Sequence, residues 1–254
     1  MSETKTVQSP GVEIREVASI EEYDACIKLQ REAFGLPDLE ISPRRHLIVS
    51  RMAGGWTLGA LSEGKLVGFV HQMAAAHGDW IFGYSHMMAV APEYQNRGVG
   101  AQLKWAQRAR ALAEGRDFIK WTFEPMRARN AHFNLNRLGT TIREYAVNFY
   151  GTDYGKSAEQ TIGMDSDRLF AGWELRSQRV EALSEGRQYP LGAADEAIEI
   201  PGDFSALLRS DAQLAKREML RVREEFLKAL SAGLVCRSFE RHPEKPRYLF
   251  YREE

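Results

Sequence analysis

Between residues 90 and 101 the chain reads Val90-Ala91-Pro92-Glu93-Tyr94-Gln95-Asn96-Arg97-Gly98-Val99-Gly100-Ala101. An apolar, strand-like run from Trp80 to Val90 breaks at a proline. A polar turn with two glycines follows, and an amphipathic helix begins at once. The first turn of a helix leaves backbone N–H groups unpaired and carries partial positive charge. Glycines there let those donors approach a phosphate closely. Arg97 at the rim adds a charged fork for a phosphate oxygen. The stretch is therefore suited to holding a phosphorylated group at the end of a strand. No Gly-Lys-Ser/Thr follows, and the spacing is not G-x-G-x-x-G, so neither the P-loop nor the dinucleotide fingerprint applies.

Gln95-x-x-Gly98-x-Gly100 resembles the acetyl-CoA motif of the GNAT acyltransferase superfamily, Q/R-x-x-G-x-G/A. The resemblance extends over roughly residues 11 to 151, and the whole chain is similar to a subgroup of predicted GNAT acetyltransferases with a C-terminal extension. It implies acetyl-CoA, or another acyl-CoA, as co-substrate. The pyrophosphate would rest on the backbone of Gln95, Asn96, Arg97, Gly98, Val99, Gly100 and Ala101, and the pantetheine arm against the main chain near Met88 and Val90. The family's cofactor runs between two strands that splay after a bulge, here Ile81–Val90 and Asp117–Phe123. The implied reaction is attack by an amine of a small acceptor on the thioester, which needs a base for the amine. A backbone N–H near Met88 would serve the developing oxyanion.

Glu124 is the first candidate base, because it ends the strand Asp117–Phe123 where the family's acceptor site opens. His86, two residues before Met88, is the second. His132 and His46 rank below it, and His71 reads as a core residue. The family's N-x-x-A-x-x-x-Y-x-x-x-G helix is matched at Ala131 and Gly139, but Ala128 stands at the asparagine place and Leu135 at the tyrosine place. Leucine cannot protonate a thiolate. Tyr145 or Tyr150 on the next strand would have to replace that acid, and Asn130 and Asn134 are candidates for the pantetheine amides. A different reading is a non-catalytic acyl-CoA-binding sensor or scaffold.

These residues need positioning elements. Val12–Val17 alternates as a strand. Ser19 and Glu22 form a capping box for a helix with Ile20, Tyr23, Ile27 and Phe34 on its apolar face. Ser42-Pro43 starts a second helix, to about Met52. Strands are predicted at Trp56–Leu61, Lys65–Met73 and Ile81–Val90. The helix from Gly98 to about Ala113 places Val99, Leu103, Ala106, Ala109 and Ala113 on one face. Strand Asp117–Phe123, helix Arg127–Leu138 and strand Arg143–Phe149 complete an α/β (α+β) fold, a mixed sheet flanked by helices. The predicted division is a cofactor domain at 11–151, a linker at 152–166 and a C-terminal α/β extension at 167–254. That extension holds strands Arg168–Leu175, Ala197–Ile200, Leu234–Phe239 and Arg247–Tyr251, and helix Ser177–Ser184. Its strongest helix is capped by Ser210 and striped with Ala215, Met219, Val222, Phe226 and Ala229. It would cover the acceptor pocket or form a homodimer surface.

At 254 residues the chain can bury a full core. Its 34 basic and 35 acidic residues leave no basic excess for nucleic acid. No run is long enough for a membrane span, and the polar start lacks a signal-peptide core. Cys26 and Cys236 have no metal-ligand neighbours, so no metal is expected, and reduced, buried thiols point to a cytoplasmic protein.

Overall fold

The computed structural model describes residues 11–35, 37–152 and 164–253. The chain divides into two compact units, Met1–Asp117 and Phe118–Glu254.

The first unit runs β1 (Glu13–Glu16), α1 (Ile20–Phe34), α2 (Arg44–Met52), β2 (Trp56–Ser62), β3 (Lys65–His77), β4 (Trp80–Val90) and α3 (Val99–Ala113). Its strands lie in the order β1-β2-β3-β4, each pair antiparallel. Ser19 and Glu22 close the expected capping box, and Gly35 ends α1 in a left-handed conformation. Pro43, not Ser42, is the N-cap of α2. Ser42 is diverted: its N–H donates to Gln30 Oε1 at 2.9 Å, its carbonyl accepts from Gln30 Nε2 at 3.1 Å, and its hydroxyl faces His86.

Alternate side chains of the sheet serve two cores. One, with Phe69, Ala89 and Met87, packs on Tyr23, Cys26, Leu29 and Leu47 of α1 and α2; the other, with Leu58, Val67, Val70 and Met88, packs on Val99 and Leu103 of α3. Two expected helix faces need correction. Ile20 and Phe34 are exposed, and α1 buries Tyr23, Cys26, Leu29 and Gln30 instead. In α3, Ala109 and Ala113 are exposed, while Lys104 and Gln107 are buried. Hydrogen bonds explain those polar residues. Lys104 Nζ donates to Ser85 Oγ and Gln107 Oε1, both at 2.9 Å, and Gln107 Nε2 donates to Gln72 Oε1 at 3.0 Å. Burial pushes the Lys104 pKa far below the usual lysine range.

The second unit contains β5 (Phe118–Phe123), α4 (Ala128–His132), β6 (Thr141–Ala146), β7 (Arg168–Glu174), α5 (Gln178–Ser184), β8 (Glu196–Glu199), α6 (Phe204–Ser210), α7 (Ala212–Ser231), β9 (Leu234–Glu240) and β10 (Arg247–Arg252). Its strand order is β5-β7-β6-β9-β10-β8. The helix expected after β5 is short, and Phe133–Arg137 continues it as a π-helical turn. Strand β7 sits between β5 and β6, so the expected boundary at 152–166 falls inside this unit; residues 153–163 of it lie outside the described residues. The expected stripe on α7 is buried as read: Ala215, Met219, Val222, Phe226 and Ala229. Its cap is Asp211, whose carboxylate accepts from Leu214 N at 2.8 Å, because Ser210 closes the preceding α6. Cys26 and Cys236 are free and buried.

Candidate functional site

The segment between β4 and α3 is built to present backbone donors. Gln95 Nε2 donates to the Val90 carbonyl at 3.0 Å and folds the turn back onto the strand end. Asn96 and Gly98 take left-handed φ values of 61° and 86°. Gly98 is the N-cap of α3 with no side-chain cap, and the first bond of the helix is Gln102 N to Gly98 O at 3.0 Å. The N–H groups of Val99, Gly100 and Ala101 therefore point past the helix end. A Cβ placed on Gly100 would make only ordinary contacts, 3.5 Å to Met88 Cε and 3.9 Å to Val90 Cγ2. The protein's own packing does not require glycine there, whereas a close ligand would. Arg97 is exposed, its guanidinium 5.9 Å from the Tyr94 ring centroid. Met88 and Val90 are half-buried on the α3 face of β4.

His86 has company that its sequence position does not reveal. In the β3–β4 pairing His71 faces Met87 and Gln72 faces Ser85, which leaves His86 as the extra residue of a β-bulge. A bulge bends the strand and re-aims a side chain. Here it turns His86 toward His71 of β3 and His46 of α2, with ring centroids 5.4 to 6.1 Å apart. Beside them a cavity of about 450 Å³ is lined by Pro43, His46, Val49, Ser50, Met73 and their neighbours.

The three rings differ in what they have left to offer. His71 is fully buried, with Nδ1 2.8 Å from Thr57 Oγ1 and Nε2 3.1 Å from Ser50 Oγ. Ser50 gives its own proton to Leu47 O at 2.9 Å, so Nε2 of His71 is the donor and Thr57 donates to Nδ1. Burial, then the neighbouring His86 and His46, hold His71 neutral, with a pKa of about 3. Both its nitrogens are used. His86 keeps solvent access and sets Nε2 3.1 Å from Ser42 Oγ, and packing and His46 hold its pKa below the ordinary histidine range. His46 Nε2 is buried with no hydrogen-bond partner. No group of three or more His, Cys, Asp or Glu residues suited to a metal occurs among the described residues.

The other expected residues lie in the second unit. Glu124 is half-exposed and ion-paired with Arg127 at 2.8 Å. Tyr145 is buried and donates to Asp167 Oδ2 at 2.5 Å. Arg223 grips that carboxylate with two 2.8 Å bonds, and Asn148 N adds another at 2.9 Å. Burial and then the Asp167 bond push the Tyr145 pKa up, so its proton is committed to a structural partner. Tyr150 shares a 3.1 Å hydrogen bond with Thr122. Asn130 is exposed, Asn134 is buried, and Leu135 is wholly in the core.

Residues 54–150 match the family model described as acetyltransferase (GNAT) domain. The chain carries a GNAT acetyltransferase domain. Solved structures share its fold. The ribosomal-protein-S18-alanine N-acetyltransferase of Escherichia coli is 14% identical at a TM-score of 0.52, over 65% of this chain and 95% of that one. A GNAT family acetyltransferase from Elizabethkingia anophelis, solved with acetyl-CoA bound, is 17% identical at a TM-score of 0.50, over 64% and 97%. An N-acetyltransferase from Staphylococcus aureus Mu50 is 13% identical at 0.51, over 65% and 99%. No curated protein matches the sequence significantly. Among the described residues no helix is long and apolar enough to cross a membrane.

Proposed function

We propose that this GNAT chain transfers an acetyl or closely related acyl group from acyl-CoA to an amine of a small acceptor. The observation that carries this reading is the uncapped start of α3, where Gly100 is kept free of a side chain that the fold itself would accommodate. The amides of Val99, Gly100 and Ala101 hold the pyrophosphate, Arg97 reaches it from the rim, and the β4 main chain near Met88 and Val90 takes the pantetheine arm.

His86 replaces Glu124 as the first choice of base. It sits on the bulge with its ring 5.4 Å from that of His46, which lines the cavity at α2, and stays neutral at physiological pH, whereas Glu124 is occupied by Arg127. His86 takes the proton that the amine loses as its nitrogen bonds to the thioester carbon. The C–S bond then breaks, and the thiolate takes a proton from water, because Leu135 offers none. The cavity against His46, Val49 and Met73 receives an acceptor with an apolar body and one amine. Free buried thiols suit a cytoplasmic setting.

Leu135 in the core and Tyr145 bound to Asp167 favour one other reading, a sensor that binds acyl-CoA without turning it over. Thiol release from acetyl-CoA across a panel of small amines decides between them. Amine-dependent release that falls about 100-fold in His86→Ala supports transfer with a positioned base. Tight binding with no release from any amine supports the sensor.

A further inference from the structure

A second cavity, of about 270 Å³, lies wholly within the second unit, where Gly139, α5 and β9 meet. Its charges do not balance. Three guanidinium groups line it, from Arg143, Arg179 and Arg237. Among the described residues, the two carboxylates that reach this neighbourhood are both held by one of them: Arg143 bonds Glu174 at 3.2 Å and Glu253 at 2.7 Å. Arg237 makes no ion pair among the described residues, although its charge is felt by Glu253 and by Arg179.

Arg179 is the most telling of the three. Its Nη2 donates to the Leu135 carbonyl at 2.6 Å, which fixes the plane of the fork, while its Nη1 is buried with no hydrogen-bond partner. Burial and the facing Arg237 pull its pKa down to about 10, so the folded protein holds this charge at a cost. Gly139 makes room for the arrangement: its φ is +77°, and a Cβ there would stand 3.5 Å from Arg179 Cγ and 2.9 Å from Leu183 Cδ1. A buried donor left unmade costs on the order of 1–3 kcal/mol, more when charged. Two guanidinium groups that repel one another, one with an unused buried N–H, are a receptor for an oxyanion, which each can grip in a planar fork. Ser177 and Tyr189 at the same cavity supply neutral polar groups.

We propose that this cavity binds a small oxyanion, a phosphate or carboxylate group, between Arg179 and Arg237. The site is separate from the uncapped end of α3 and does not rest on the acyltransferase reading.

The test is the thermal midpoint of the full chain as chloride is replaced, at constant ionic strength, by inorganic phosphate or by malonate. The site raises the midpoint with at least one of the two, and a response to phosphate alone or malonate alone tells which group it prefers. In Arg237→Gln the anion-free midpoint is unchanged or higher, because a repulsion is removed, and the rise is lost. Phosphate also suits the end of α3, so Gly100→Glu is run beside it and keeps the rise. No rise in the natural protein, a rise that survives Arg237→Gln, or a rise that only Gly100→Glu abolishes would each overturn the proposal.

Discussion

Two clusters of titratable side chains in this protein, one built on a carboxylate and the other on three histidines, differ in what they leave unused. In the second unit, Asp167 is 3% exposed and accepts from Tyr145, from Arg223 and from the backbone of Asn148; Arg223 also reaches Asp165. Its donors and its acceptor are matched, and the cluster ties β6 to α7. In the first unit, His71 is closed in the same way by Thr57 and Ser50. His46 and His86 are not: one has a ring nitrogen without a partner, and the other reaches solvent beside a cavity. Burial alone does not mark a working group. Access to solvent does: Tyr145 lacks it and reads as scaffold, and it is the ground on which His86 is proposed as the base.

The contrast can be broken in several ways. The largest effect is expected at Asp167. Asp167→Asn removes the buried charge that Tyr145, Arg223 and Asn148 N all bond, leaves the part-buried Arg223 only Asp165 as an ionic partner, and should cost about 3 kcal/mol in denaturant unfolding. A loss under 1 kcal/mol would mean that the cluster is not closed as described. Next, His86→Ala should lower the amine-dependent rate about 100-fold, equivalent to roughly 2.7 kcal/mol. Its unfolding midpoint should move little, since the ring is partly solvated.

His71 should behave as structure does, and pH shows it. Its folded pKa of about 3 lies below that of the unfolded chain, near 6.5, so the unfolded chain takes up the proton first as pH falls. The stability it contributes is complete above about pH 6.5 and is lost below it, at about 1.4 kcal/mol per pH unit. Urea titrations of the natural protein and His71→Gln at pH 6.5 and pH 5 should differ in their acid loss by about 2 kcal/mol. Equal losses would show that His71 is not held neutral. The smallest effect is expected at Glu124: Glu124→Gln removes only an exposed ion pair, worth about 0–1 kcal/mol, and should leave the rate within about twofold. A loss of rate as large as that of His86→Ala would restore Glu124 as the base.

What could be read before the fold was known follows from the range of the interactions involved. The α7 stripe and the glycine turn before α3 are local patterns, one set by helical period and the other by backbone conformation, and both stand in the structure as read. Lys104 and Gln107 fall on the inner face of α3 at positions where period asks for apolar side chains. Gln72 of β3 and Ser85 of β4, together with the bond between Lys104 and Gln107 themselves, make their burial tolerable. The meeting of His46, His71 and His86 depends on a bulge that turns one side chain, and no spacing along the chain announces it. The insertion of β7 between β5 and β6 is likewise a matter of sheet order, which a strand pattern alone leaves open.

The central claim is that the start of α3 is kept bare for a phosphorylated ligand, and the thermal midpoint with and without acetyl-CoA tests it most directly. Gly98 is a poor probe, because its φ of 86° strains any other residue. Gly100 is a good one: Gly100→Glu replaces a helical glycine and places a carboxylate in the first turn, so the ligand-free protein should be as stable or more so. Acetyl-CoA at a hundredfold excess over its Kd should stabilise the natural protein by about 2.7 kcal/mol and leave Gly100→Glu unmoved. An equal rise in both, or none in the natural protein, would contradict the claim.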